Sequence, residues 1–126
     1  MAKILVIDDA MIQRAQLKSM VVASGHEAIE AGDGEEGLEM ALKHRDELGL
    51  IFCDFNMPVL DGLSLCTKLH EDDQFPSIPF FMITTETSQD LKELGKKVGV
   101  KGWIIKPFQP SVIEQLIRQF VSVSSS

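Results

Sequence analysis

Short apolar runs alternate along the chain with longer stretches in which apolar residues recur at helical spacing. Lys3-Ile-Leu-Val-Ile7 reads as a buried strand that breaks at Asp8-Asp9. Met11, Ile12, Ala15, Leu17, Met20 and Val21 then follow at roughly helical spacing, and Gly25 ends that helix. His26 to Ala31 is a weaker, half-polar strand, expected at or near a sheet edge. Asp33-Gly34 caps a second helix whose apolar side carries Leu38, Ala41 and Leu42, and Gly49 punctuates it. Leu50-Ile-Phe-Cys53 is a fully apolar run ending on Asp54. The loop from Phe55 to Gly62 leads to a helix with Leu63, Leu65, Cys66 and Leu69. After Pro76 and Pro79, Phe80-Phe-Met-Ile83 is the fourth apolar strand and closes on Thr84-Thr85. A helix burying Leu91, Leu94 and Val98 follows, then the strand Gly102-Trp-Ile-Ile105, which ends at Lys106-Pro107. Pro110-Ser111 opens the last helix, from Val112 to about Phe120, with Ser111 and Glu114 fitting a capping box. Residues 122–126 read as a frayed tail.

Five strands alternating with five helices predict an α/β domain, its parallel sheet covered on both faces. Continuous hydrophobicity in the first, third and fourth strands agrees. With no repeat or linker, the reading is a single domain over residues 1–121, a short flexible tail over 122–126 and no effector domain.

Composition narrows the function. The 126 residues carry 12 Lys+Arg against 19 Asp+Glu, a net charge of −7, with 44% apolar and 25% charged residues. Such a balance suits a soluble domain and argues against a sequence-independent grip on nucleic acid, which needs many basic groups. The longest uninterrupted apolar stretch, Ile78 to Ile83, is far too short to span a membrane. The opening MAKILVIDD is not a secretory signal, and Cys53 and Cys66 lack metal-ligand spacing, so a reducing cytoplasmic setting is expected. His26, His44 and His70 fall outside every strand-end motif and read as solvated surface.

The chemistry collects at the carboxyl ends of the strands: Asp8-Asp9 after the first, Asp54 after the third, Thr84 after the fourth, Lys106 after the fifth. In an open α/β sheet those ends line one crevice where the strand order reverses. Three neighbouring carboxylates resist ionising together unless a cation joins them. One divalent ion and one Lys bring +3 against −3, and Mg²⁺ suits carboxylate oxygen best. A neutral site with an open carboxylate is set up for phosphoryl transfer through an acyl phosphate. Asp54 is the expected nucleophile, Asp8 and Asp9 the metal ligands with the Asn56 backbone carbonyl, and Thr84 and Lys106 the phosphoryl-oxygen contacts. Singly, each has a plain structural explanation, as a helix cap, a turn residue or a strand end.

Together, Asp8-Asp9, Asp54-Phe-Asn-Met-Pro58, Asp61-Gly62, Ile83-Thr84 and Lys106-Pro107-Phe108 resemble the signature set of response-regulator receiver domains, over roughly Lys3 to Phe120. The resemblance implies a flavodoxin-like, doubly wound fold with strand order 2-1-3-4-5. It implies that Asp54 accepts phosphate from a sensor histidine kinase, with Asp9, Asp54 and the Asn56 carbonyl on Mg²⁺ and Asp8 acting through water. It further implies a cis Lys106–Pro107 bond and a signalling phosphoacceptor, not an enzyme: it would catalyse only its own phosphorylation and slow autodephosphorylation.

Two positions depart from the family pattern. Trp103 stands where a switching Tyr or Phe is usual, and Thr85 where a small residue is common. Asn56 and Glu86 occupy the pair that tunes acyl-phosphate hydrolysis, a pairing that resembles chemotaxis regulators. The expected output surface is formed by the fourth helix, fifth strand and fifth helix. There a downstream protein target would bind, whether motor switch, phosphatase or phosphotransfer protein; no nucleic acid or membrane partner is expected, and the chain is expected to be a monomer. The alternatives are a phosphorelay intermediate and, from another class, a Mg²⁺-dependent phosphotransferase on a small metabolite. A receiver that works without phosphate is a third; the intact acid–Thr–Lys set speaks against it.

Overall fold

The computed structural model describes residues 2–57 and 60–121. Pro58 of the resemblance motif and the expected tail over 122–126 lie outside the described residues. The chain runs β1 (Lys3–Ile7), α1 (Met11–Ala23), β2 (Glu27–Ala31), α2 (Gly34–Lys43), β3 (Leu48–Asp54), α3 (Gly62–Glu71), β4 (Phe80–Thr84), α4 (Gln89–Val98), β5 (Gly102–Ile105) and α5 (Pro110–Phe120). All strand pairs are parallel, in the order β2-β1-β3-β4-β5.

Alternation along each strand divides the core in two. Leu5, Ile7, Ile51, Cys53 and Met82 face one layer, where Ala41 of α2 and Leu65 and Leu69 of α3 meet them. Ile4, Val6, Leu50, Phe52, Phe81 and Ile83 face the other, against Leu17 and Val21 of α1 and Ile113 and Ile117 of α5. Both faces are therefore apolar, which explains the unbroken hydrophobic runs. Because β1 and β3 are neighbours with β2 outside them, the chain leaves β1 in one direction and β3 in the other. That reversal opens a crevice at their carboxyl ends.

Local signals set most helix ends. Asp33, Asp61 and Ser88 cap α2, α3 and α4, accepting from the backbone N–H of Glu36, Ser64 and Leu91. Gly99, at φ 104°, closes α4 in the left-handed region.

Several sequence expectations need correction. Gly49 lies inside β3, at a register shift that pairs Lys3 with Leu48 and Ile4 with Leu50. A Cβ there would crowd Ala2 and Val121, so glycine lets those side chains close over the strand. The Ser111–Glu114 capping box does not form. Pro110 takes the first helical position, Gln109 precedes it without a side-chain cap, and Ser111 lies within the helix. Leu94 is 49% exposed, because Gly95 is the α4 position turned to the sheet. Met11 and Ile12 are likewise exposed; α1 buries Leu17 and Val21. His26 is interior, only 3% exposed, with Nδ1 accepting the Ala2 N–H at 3.1 Å.

Candidate active site

Strand register brings the expected residues to one place. Ile7 pairs with Cys53, Asp54 with Ile83 and Thr84 with Ile105, so the carboxyl ends of four adjacent strands finish level. The Phe55 N–H donates to the Ile83 carbonyl at 2.9 Å and the Lys106 N–H to the Thr84 carbonyl at 2.8 Å. These bonds carry the ladder one residue past the strands and fix where the loops depart.

Asp54 ends the central strand and is 5% exposed. Lys106 Nζ donates to its Oδ1 at 2.7 Å. An acid at the end of an apolar strand would be costly to bury unpaired, and Lys106 supplies the partner. The Lys106–Pro107 peptide is cis, as the resemblance implies.

Asp8 is buried beside it and Asp9 is exposed; carboxylate oxygens of Asp8, Asp9 and Asp54 lie within 4.8 Å of one another. Burial pushes the Asp8 carboxyl above its ordinary value. The bond its Oδ1 accepts from the Ala10 N–H, at 2.9 Å, works against that, while the Asp54 charge adds to the rise. Three converging hard oxygen donors, with a single Lys against them, fit a small divalent cation. Asn56 is exposed in the loop directly after Phe55, two residues from Asp54.

Thr84 ends β4 and is buried; its Oγ1 accepts the Glu86 N–H at 3.0 Å. The hydroxyl proton is thereby left for another acceptor. Thr85 is exposed and borders a cavity of about 790 Å³ shared by Asp8, Gln13 and Lys106. Glu86 is exposed in the same loop.

Trp103 is not at the acidic crevice. It is half-buried in β5, its ring 6.1 Å from that of Phe55 in an edge-on arrangement, and it packs on Gly95 of α4. Phe55 directly follows Asp54, so a short path of contacts runs from the acid to the fourth helix. Asp61-Gly62 serves as a helix start: Asp61 caps α3, and a Cβ on Gly62 would strike Met82 Sδ.

Two polar residues at the crevice escaped the sequence reading. Gln13 Oε1 accepts from Lys106 Nζ at 3.2 Å, and Arg14 Nη1 donates to the Asp8 carbonyl at 2.8 Å while Nε reaches Glu30 at 3.3 Å. Both sit on α1 among residues that read as an ordinary helix surface.

Comparison with known proteins agrees with this geometry. The family described as "Response regulator receiver domain" matches residues 4–118, and the chain belongs to that family. Among curated relatives, a chemotaxis protein CheY homolog of Campylobacter jejuni is 31% identical over 124 residues, covering 98% of this chain and 95% of that protein. Chemotaxis protein CheY1 of Helicobacter pylori is 38% identical over 114 residues, covering 90% and 91%. Among solved structures, the chemotaxis response regulator CheY4 of Vibrio cholerae superposes with a TM-score of 0.87 at 36% identity, over 96% of this chain and 99% of that one. The chain is a receiver domain similar to CheY proteins, with the flavodoxin-like strand order 2-1-3-4-5.

Proposed function

We propose that Asp54 accepts a phosphoryl group from a sensor histidine kinase and that the phosphorylated domain signals by binding another protein. The observation that carries this is the Asp8–Asp9–Asp54 cluster closed by Lys106 at 2.7 Å. Asp9, Asp54 and the Asn56 backbone carbonyl would hold Mg²⁺, with Asp8 acting through a water. Bound there, the cation offsets negative charge on the phosphoryl oxygens.

An Asp54 carboxylate oxygen attacks phosphorus, forming an O–P bond as the bond from phosphorus to the donor breaks and its electron pair leaves with the donor. Lys106 moves its hydrogen bond from the carboxylate to a phosphoryl oxygen. The Thr84 hydroxyl, its oxygen already engaged by the Glu86 amide, donates its proton to another. Drawing Thr84 inward pulls on Thr85 and Glu86 and so on the loop entering α4, a population shift between two arrangements. By the family resemblance, Asn56 and Glu86, both exposed in the loops that leave β3 and β4, would tune how long the acyl phosphate lasts. Beyond these two reactions on itself the domain catalyses nothing.

The output surface is the α4–β5–α5 face. Lys92, Lys96, Lys97 and Lys101 are exposed there beside Leu94, with the exposed Asp90 and Glu93 among them, and the excess of lysine would suit an acidic peptide with an apolar anchor. The CheY relatives, of which this chain covers 91 to 95%, support a chemotaxis-type role. The reducing cytoplasm suits the free thiols Cys53 and Cys66; burial pushes the latter up to about 12. Among the described residues no helix is long and apolar enough to cross a membrane.

Acetyl phosphate tests the reading. Phosphoprotein should form in Mg²⁺ and disappear when a chelator replaces it; equal labelling in chelator would contradict the metal assignment.

A further inference from the structure

The Lys106 ammonium makes two side-chain contacts, and only one is to the phosphoacceptor. Nζ donates to Asp54 Oδ1 at 2.7 Å and to Gln13 Oε1 at 3.2 Å. Gln13 stands in the first turn of α1, 93 positions before Lys106, and both border the cavity of about 790 Å³ beside Asp8. Charge neutrality asks for nothing at this place, since an amide carries none.

A lysine head is a compact charge on a flexible four-carbon stem, and this one is 23% exposed. Were Asp54 its sole anchor, the ammonium would loosen when the carboxylate oxygen becomes bonded to phosphorus and turns into a weaker acceptor. An apolar residue at position 13 would leave it free to swing along the cavity toward solvent. A carboxylate there would compete with the phosphoryl group for Lys106 and repel the incoming anion. A neutral acceptor avoids both outcomes.

We propose that Gln13 is a positioning residue for Lys106: its amide oxygen holds the ammonium in the crevice while the ammonium exchanges the Asp54 carboxylate for a phosphoryl oxygen. The inference rests on the reading of Asp54 as phosphoacceptor. Gln13 touches none of the reacting atoms and acts through Lys106.

The test compares wild type with Gln13→Met, which keeps the length of the side chain but no strong acceptor, and with Gln13→Glu. Phosphorylation by phosphoramidate in saturating Mg²⁺ is followed by intact mass. The ¹H–¹⁵N signal of the Lys106 ammonium, Mg²⁺ affinity by calorimetry and the urea midpoint are measured alongside. Loss of one such hydrogen bond should slow Gln13→Met about two- to tenfold. Its Lys106 signal should broaden, with Mg²⁺ affinity and urea midpoint unchanged. Gln13→Glu should keep the Lys106 signal and still be slow. A wild-type rate in Gln13→Met overturns the inference, as does a slowed rate with an unaltered Lys106 signal or with a matching loss of folding stability. If wild type is phosphorylated and Gln13→Met equals it, the Gln13 inference falls alone. If wild type takes no phosphate, the phosphoacceptor reading falls and takes the inference with it.

Discussion

The indole of Trp103 occupies the space that a Cβ on Gly95 would take, so the fifth strand and fourth helix meet through an aromatic ring set on a bare backbone. Helix propensity alone would favour alanine at position 95 by up to about 1 kcal/mol. The added methyl instead meets the ring, and overpacking costs about 1–3 kcal/mol. Gly95→Ala should therefore destabilise the domain by roughly 1–2 kcal/mol in urea unfolding. Trp103→Phe in the same background should recover a large part of that loss. An alanine variant as stable as wild type would contradict this packing.

Trp103 also lies edge-on to Phe55, the residue after Asp54. A change in charge and geometry at Asp54 is felt by Phe55 through one peptide unit and by the indole through the ring contact. Because the chain has one tryptophan, its fluorescence reads this position alone. Titration with beryllofluoride and Mg²⁺ should shift the emission; an unchanged spectrum would remove Trp103 from the switch.

Thr85 borders the cavity that Asp8 and Lys106 also line, and a small donor entering there would approach Asp54 from that side. Removing its hydroxyl and one methyl widens that route without touching the acid cluster. Thr85→Ala should be phosphorylated faster by acetyl phosphate, and an unchanged rate would refute a steric role.

His26 gives the stability a pH dependence. Burial holds its pKa below the ordinary 6.5, and among the described residues its Nε2 has no partner. The unfolded chain therefore binds the proton more readily than the folded one. The stability is fully present above pH 6.5 and is lost as pH falls from there toward the folded pKa. Urea unfolding at about pH 7.5 and about pH 5.5 should show a steeper loss for wild type than for His26→Gln. Equal slopes would contradict this assignment.

The elements and the acid–Thr–Lys set were legible in the sequence because both depend on local rules. Short apolar runs bounded by turn signals and alternating with helical stretches read as strands covered on both faces, and residues at the carboxyl ends of parallel strands gather at one edge. What was not legible depends on long-range fit. His26 looked like the polar start of an edge strand, and only its bond to the Ala2 amide makes it interior. Leu94 matched the helical period, yet Trp103 meets the helix at Gly95 and leaves Leu94 outside. Ser111 and Glu114 had the right spacing for a cap, but the helix starts at Pro110, two residues earlier than Val112. Gln13 gave no sign at all, since its partner lies at the far end of the chain.

The central claim is that Asp54 carries the phosphoryl group, and peptide mass spectrometry after acetyl phosphate and Mg²⁺ tests it most directly. Wild type should gain one phosphoryl mass on the peptide containing Asp54, and Asp54→Asn should gain none. A wild-type chain with no added mass, or an Asp54→Asn chain phosphorylated to the same extent, would contradict it.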